Sequence, residues 1–541
     1  MPEQQPEDTP KGWKKYFDIE PYVFWPSAIL IIFFIAVTLL VGKPMEEIFT
    51  TVQTAISSNS GWFLILVVNF FLVLCFFLAF SKYGKIRLGG QKAQPEFSTF
   101  SWFAMLFSAG MGIGIMFYGV AEPVLHFNSP PEGTVEPQSI ASAKLAMNKS
   151  FLHWGLHAWG IYALVGMALA FFCYNRKLPL SVRSVFYPLI GDKIHGPVGH
   201  LIDTLAVLAT LFGLATSLGF GVQQVNAGME HLFGFEKNVT NQVILIALIT
   251  GAATASVVTG LDKGVKFLSK MNLRLAAIFL LFVLIVGPTV FILDSFVQNT
   301  GNYVQTIFRL STWAEAYTGS DWQNSWTVFY WSWWISWSPF VGIFIARVSY
   351  GRTIKEFMLG VLLVPSLLTF LWLSTFGGSA IFGELNGEFA IIGAVQEDVA
   401  TALFKLLENF PLPMISAFIG MLLVINFFVT SSDSGSLVID SITSGGKQDA
   451  PVGQRVFWAT TEGAVAAVLL VGGGLGALQT AAITTGLPFA VVLVMMTAGL
   501  LLGLRQEYNQ KIKLPSRQLP HHAYPKAEEK QEKSVPAPED N

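Results

Sequence analysis

Twelve apolar runs decide what this chain can fold into before any single residue is weighed. They lie near 22–42, 62–80, 100–121, 152–174, 200–222, 240–259, 274–294, 326–346, 357–378, 413–430, 456–472 and 480–504. A bilayer core about 30 Å thick is crossed by about 20 helical residues. Water is absent there, so each run must pair its own N–H and C=O groups, which a helix does. The expected fold class is an all-α membrane protein with twelve transmembrane helices. The run at 413–430 is expected to continue as polar helix through Asp440. Composition agrees, with 52% of the 541 residues hydrophobic and only 13% charged.

Charge sets the orientation, because cytoplasmic loops carry an excess of Lys and Arg. With twelve spans and both termini cytoplasmic, 27 of the 33 Lys and Arg fall inside. Lys43, Lys144, Lys149, Lys237, Arg309 and Lys405 remain outside. One span more or fewer would invert the later loops and spoil this asymmetry. The chain is therefore expected to be a multi-pass protein of the inner or plasma membrane. Its long outer loops would lie near 122–151, 295–325 and 379–412. Lys11, Lys14 and Lys15 precede the first run, which lacks a small-residue cleavage site and reads as a retained span. The tail after Leu504 has no apolar face and is expected to be flexible beyond Pro515.

Several classes drop out. A net charge of −2 and the lack of a phosphate-binding glycine loop give no sign of a nucleic-acid partner. Cys75 and Cys173 lie in apolar runs, so no disulfide framework is expected. The spans offer no nucleophile–base set and no metal-ligand cluster, so an enzyme is not expected.

The segment Trp326–Tyr350 holds five of the fifteen tryptophans. Residues three and four apart share a helix face, which places Tyr330, Trp333, Trp334 and Trp337 in one row. Such a wall of rings attracts cations, above all quaternary ammonium groups, which have no hydrogen to donate. An interfacial belt supplies one or two rings at one membrane level. Several rings down one face favour a cation box.

A second segment, Ala109-Gly110-Met111-Gly112-Ile113-Gly114, puts three glycines within five residues of a span. Each costs about 1 kcal/mol against Ala in a helix interior. Gly110 and Gly114 suit close helix packing. Gly112 favours unwinding, which would present carbonyls to a cavity. Both uses fit the motif.

GMGIGIMFYGVAEP at 110–123, WSWWISWSPFVG at 331–342 and FFVTSSDSGS at 427–436 resemble the betaine/choline/carnitine transporter family. The resemblance spans nearly all twelve helices. It implies a LeuT-type fold of two five-helix inverted repeats, 100–294 and 326–504, behind two extra helices within 22–99. Residues 295–325 would form an external connector, and 1–21 and 505–541 cytoplasmic ends. In such folds the first helix of each repeat breaks near the midplane and helps to hold substrate and ion.

The resemblance further implies a substrate box of Trp333, Trp334 and Trp337, with Trp331 lining the path. Trp154, Trp159 and Tyr162 match its second aromatic set, Ser217 a position that bonds the substrate's polar end, and Met111 a box residue on the glycine segment. Sodium, the implied coupling ion, prefers hard oxygen ligands. The Phe427 carbonyl and the Thr430 and Ser431 hydroxyls match one family sodium site, with carbonyls of Ser108, Ala109 and Met111 opposite. The alternative is that Thr430, Ser431 and Ser432 bond to carbonyls one turn back. For a second sodium site Thr210 and Phe340 match, but Leu214 stands where a threonine belongs. Neither 200–223 nor 413–430 contains Arg or Lys, which argues against sodium-independent exchange.

No cofactor is implied. Choline carriers of the family tend to hold Asp where this chain has Gly114, so a zwitterion such as glycine betaine is favoured. The expected function is sodium-coupled import of a betaine-type osmolyte by alternating access. The competing functions are a proton-coupled choline or carnitine carrier, with His153, His157 or Glu462 as proton site, and an uncoupled channel or sensor. Family resemblance also implies a homotrimer, with contacts near 297–318.

Overall fold

The structure, a computed structural model, describes residues 16–110, 112–133, 135–258, 262–447 and 451–513, without the side chains at 109, 110, 132, 262–267, 269 and 511–513. Among the described residues the regular structure is helical, apart from one bridge pairing Arg87 with Thr353. In chain order the helices are α1 (Pro21–Val41), α2 (Met45–Phe80), α3 (Thr99–Gly110), α4 (Ile113–Asn128), α5 (Ile140–Trp154) and α6 (Leu156–Arg176). A short α7 (Tyr187–Ile190) leads to α8 (Pro197–Phe233), α9 (Val239–Val258), α10 (Asp262–Val286) and α11 (Thr289–Ser311). Then come α12 (Phe329–Val348), α13 (Ile354–Leu385), the short α14 (Ile392–Glu397) and α15 (Ala402–Leu407), α16 (Pro413–Thr443) and α17 (Val452–Lys513).

Among the described residues eight helices are long and apolar enough to cross a membrane, or ten if each of two bent pairs is one span. The sequence predicts twelve. Two features account for the difference. The runs at 456–472 and 480–504 are two helices that meet without a loop at a kink, Gly473 and Gly474, and so count once as α17. And α12 is not among the eight, because tryptophan, tyrosine and serine lower its hydropathy. The predicted polar extension of 413–430 is present, since α16 runs to Thr443.

The predicted outer loops are shorter than expected. Residues 122–128 belong to α4 and 140–151 to α5, so most of 122–151 is helix. Likewise α11 occupies 289–311 and α13 extends to Leu385. Hydropathy ends a span at its first polar residues, whereas a helix continues wherever neighbours satisfy its side chains. Lys149, predicted to sit in an outer loop, is fully buried in α5 with its Nζ 4.1 Å from the Trp313 ring centre.

The breaks position the site. The glycine segment ends α3 at Gly110 and restarts as α4 at Ile113, with a 67° bend. Gly112 caps α4 in extended conformation. A second break, at Gly155, separates α5 from α6; a Cβ there would meet the Phe151 carbonyl oxygen at 2.5 Å and the Phe370 ring at 2.7 Å. Around these breaks α12 packs against α6, α8 and α17, and α8 against α16 and α17. One turn of π-helix, Asn324–Val328, leads into α12. Such turns recur at functional sites.

Candidate functional site

Two cavities lie along α12 and share Trp337. The first is lined by Trp154, Trp159, Tyr162, Ser217, Trp333, Trp334 and Trp337, with Gly112, Gly114, Ile115, Ala158 and Thr369. The break at Gly112 thus brings the glycine segment against the tryptophan row. Trp333 and Trp334 stack at 4.6 Å, and Trp154 meets Trp334 edge-on at 4.9 Å. Tyr162 stands edge-on to Trp159 at 5.5 Å. A Cβ on Gly114 would lie 2.8 Å from Trp333 Cη2 and 3.0 Å from Trp154 Cη2, so the cage requires glycine there.

The cage rings are anchored from behind. Trp333 Nε1 donates to the Gly213 carbonyl at 3.3 Å, and Trp334 Nε1 to the His153 carbonyl at 2.8 Å. Two donors are left over. Tyr162 Oη and Trp337 Nε1 are buried without a hydrogen-bond partner. Ser217 Oγ bonds back to the Gly213 carbonyl at 3.3 Å.

A polar knot supports the cage on its Trp326 side. The fully buried Glu122 of α4 lies at its centre. Its Oε2 accepts from Trp154 Nε1 and Tyr330 Oη, each at 2.6 Å. Its Oε1 lies 2.6 Å from His153 Nδ1 and 3.3 Å from His126 Nε2. His153 Nε2 reaches Thr327 Oγ1 at 2.9 Å. The ligand-type atoms of Glu122, His126 and His153 lie within 4.8 Å of one another. However, two ligands on one tetrahedral zinc sit about 3.3 Å apart, and the 2.6 Å separation is that of a hydrogen bond. Sequence reasoning assigned Glu122 no role. The available signal was an acid closing an apolar run, which by default marks function.

The second cavity lies toward the Arg347 end of α12. It is lined by Ser108, Asn272, Trp337, Phe340, Val341, Phe344, Phe427, Thr430, Ser431 and Ser434. Ser108, Phe427, Thr430 and Ser431 therefore share one space. Thr430 Oγ1 is already engaged. It donates one turn back, 2.9 Å from the Asn426 carbonyl and 3.3 Å from that of Phe427, and accepts from Asn272 Nδ2 at 3.2 Å. Ser432 faces elsewhere, 3.3 Å from Glu462 Oε2. Asn272 and Ser434 were not singled out by sequence.

Other expected residues are not brought together. Trp331 is absent from both linings and instead stacks on His157 at 5.4 Å. A residue two before Trp333 points to the opposite face of the helix. Thr210 is fully buried and donates to the Ala206 carbonyl at 2.7 Å, whereas Phe340 faces the second cavity. Leu214 packs on Gly435. Neither Thr210 nor Leu214 lines the cavity that Phe340 faces. Met111 lies outside the described residues, as does the side chain of Ala109.

Comparison with known proteins bears on this geometry. Residues 22–509 match the family model described as BCCT, betaine/carnitine/choline family transporter. A glycine betaine transporter of Acinetobacter baylyi is 45% identical over 92% of this chain and 75% of its own length. A glycine betaine/proline/choline transporter of Vibrio parahaemolyticus is 47% identical over 91% of each chain. A glycine betaine transporter of Bacillus subtilis is 44% identical over 90% of this chain and 94% of its own.

Proposed function

This chain belongs to the betaine/carnitine/choline transporter family, and from that premise we propose that it imports a quaternary-ammonium osmolyte, glycine betaine first, by sodium symport. It is a transporter and not an enzyme. The observation that carries the substrate is the cage. Trp154, Trp333, Trp334 and Trp337 offer π faces to a trimethylammonium group, which binds such faces with about 2 kcal/mol or more once desolvated. The unpartnered Tyr162 Oη and Trp337 Nε1 suit the carboxylate of a zwitterion. Gly114 leaves no room for an acidic side chain between the tryptophans, which favours a net-neutral substrate over choline.

Sodium would enter the second cavity beside Ser108, Phe427, Thr430 and Ser431, with backbone oxygens of the interrupted helix α3–α4 completing its shell. Hard neutral oxygens suffice for one charge. Thr430 would turn its hydroxyl lone pair from Asn272 to the ion. The incomplete set of Thr210, Leu214 and Phe340 supports one sodium rather than two. A membrane potential adds about 2.3 kcal/mol per charge per 100 mV to the inward drive.

The proposed architecture has twelve spans, counting α17 as two and including α12. Two five-helix inverted repeats, 100–294 and 326–504, follow two extra helices. The Lys and Arg asymmetry puts both termini in the cytoplasm, hence the Trp326 end of α12 outside and the Arg347 end inside. The setting is the bilayer of the inner or plasma membrane, and a homotrimer through the region of α11 is proposed. The test is uptake of radiolabelled betaine into proteoliposomes. Symport predicts uptake that requires an inward sodium gradient. Uptake that ignores sodium and follows a pH gradient would replace sodium with the proton, and uptake that never concentrates betaine would leave a channel.

A further inference from the structure

We infer that Glu462 is a proton-binding site behind the hydroxyl-lined cavity, and that its proton and the sodium proposed for that cavity oppose one another across α16. This rests on the sodium symport proposed above. Glu462 lies in α17 before its kink, where that helix packs against α8, α9 and α16. Its side chain is fully buried. Oε2 accepts from Ser432 Oγ of α16 at 3.3 Å, and Oε1 is buried without a hydrogen-bond partner. A Cβ on Gly435 would stand 3.3 Å from Oε1 and would also meet Leu214 of α8. The neighbouring Gly463 lies against Thr250 of α9.

The surroundings set the state of this carboxyl. Residues 204–228 of α8 and the whole of α9 carry no ionisable side chain. On α16, Asp433 acts on Glu462 with like charge, and Asp440 lies two turns further on, under the influence of Arg455 of α17. Among the described residues no Lys, Arg or His of α1, α2, α6, α7, α8, α12, α16 or α17 itself forms an ion pair with Glu462. An ionised carboxylate with one hydrogen bond, no cation and a like charge nearby is strongly disfavoured away from water. Glu462 therefore holds its proton in this conformation.

Position gives that proton a consequence. Ser431 and Ser434 line the second cavity, while Ser432 and Gly435, each one residue on, turn toward Glu462. The thickness of one helix separates the carboxyl from the proposed ion, roughly 10 Å. At an effective dielectric of about 20, a unit charge at that range changes cation affinity about tenfold. The ionised form thus holds sodium about tenfold more tightly than the neutral form. By reciprocity, sodium loosens the proton by the same factor. The field acts through α16 itself, so no helix has to move. Acidification should weaken betaine uptake at limiting sodium and leave it unchanged at saturating sodium.

The test uses full-length protein in proteoliposomes with equal pH on both sides. It reads the sodium concentration for half-maximal betaine uptake from about pH 5.5 to 8.5. In the parent that concentration should fall about tenfold as pH rises. Glu462→Gln, neutral at every pH and of similar shape, should keep the parent's low-pH value throughout. Ser432→Ala removes the donor that favours the ionised form, so its fall should come at higher pH. Infrared difference spectra give a readout free of transport. Adding sodium to the parent should remove a protonated-carboxyl C=O band, and that band should be missing in Glu462→Gln. A parent whose sodium requirement ignores pH, or a Glu462→Gln variant that keeps the parent's pH dependence, would overturn the inference. If Glu462→Gln does not fold, a Ser432→Ala profile that superimposes on the parent's, or no change of the band with sodium, overturns it instead. Sodium-driven uptake by the parent is measured first. Its failure would strike the proposed function, whereas sodium-driven uptake indifferent to pH would strike the role of Glu462 alone.

Discussion

The aromatic cage and the hydroxyl-lined cavity share Trp337 yet are held in different ways. In the cage, three of the five indoles, those of Trp154, Trp333 and Trp334, spend their N–H on fixed acceptors behind them: Glu122, Gly213 and His153. The rings are set before any substrate arrives. In the second cavity Thr430 is satisfied by its own helix and by Asn272, so the proposed ion would have to compete for it. A preorganised site loses little entropy on binding, while a site that must rearrange binds more weakly and responds to its neighbours. The comparison teaches a division of labour. On the proposed function the cage would recognise the substrate and the hydroxyl cavity would adjust, as a coupling site between two conformations must.

Removing a cage ring should have the largest effect. Trp334→Leu deletes both a π face and the bond to His153, and should weaken betaine binding about 100-fold or more, read by calorimetry or uptake competition. A fall of only twofold would deny the cage its role. Glycine substitutions sharpen the same contrast. Gly114→Ala drives a methyl group against Trp333 and Trp154 and should cost about tenfold in betaine affinity. Gly112→Ala, with Trp337 3.9 Å away as its nearest neighbour, should change affinity less than about threefold. Equal losses would show that backbone freedom, not ring contact, matters in that segment.

On the other side of the comparison, Ser431→Ala should raise the sodium concentration for half-maximal uptake by about fivefold. At saturating sodium its betaine affinity should match the parent. Loss of betaine affinity that sodium cannot restore would mean that the second cavity holds substrate rather than ion.

Much of this was legible in the sequence. The helical row of Tyr330, Trp333, Trp334 and Trp337 was visible from spacing alone, and all but Tyr330 line the cage. The break at 110–114 was visible from glycine cost. There the two competing uses both occur, since the helix restarts at Ile113 and Gly114 accommodates two tryptophans. Trp331, carried over from the family resemblance, lines neither cavity, because its helical phase turns it away from Trp333. Glu122 was missed for a deeper reason. Counting apolar residues ends a span at a carboxylate, but its bonds come from Trp154, His153 and Tyr330, up to 208 positions away. No local pattern records that compensation.

The most direct test of the central claim compares betaine with its carbon isostere, 3,3-dimethylbutanoate, which keeps the shape and the carboxylate but replaces the positive nitrogen with carbon. If π faces grip the cation, the isostere should compete for the cage about 30-fold more weakly, the factor that about 2 kcal/mol of cation–π attraction gives. Competition equal to that of unlabelled betaine would show that the cage binds by shape and burial alone, and the account would fail.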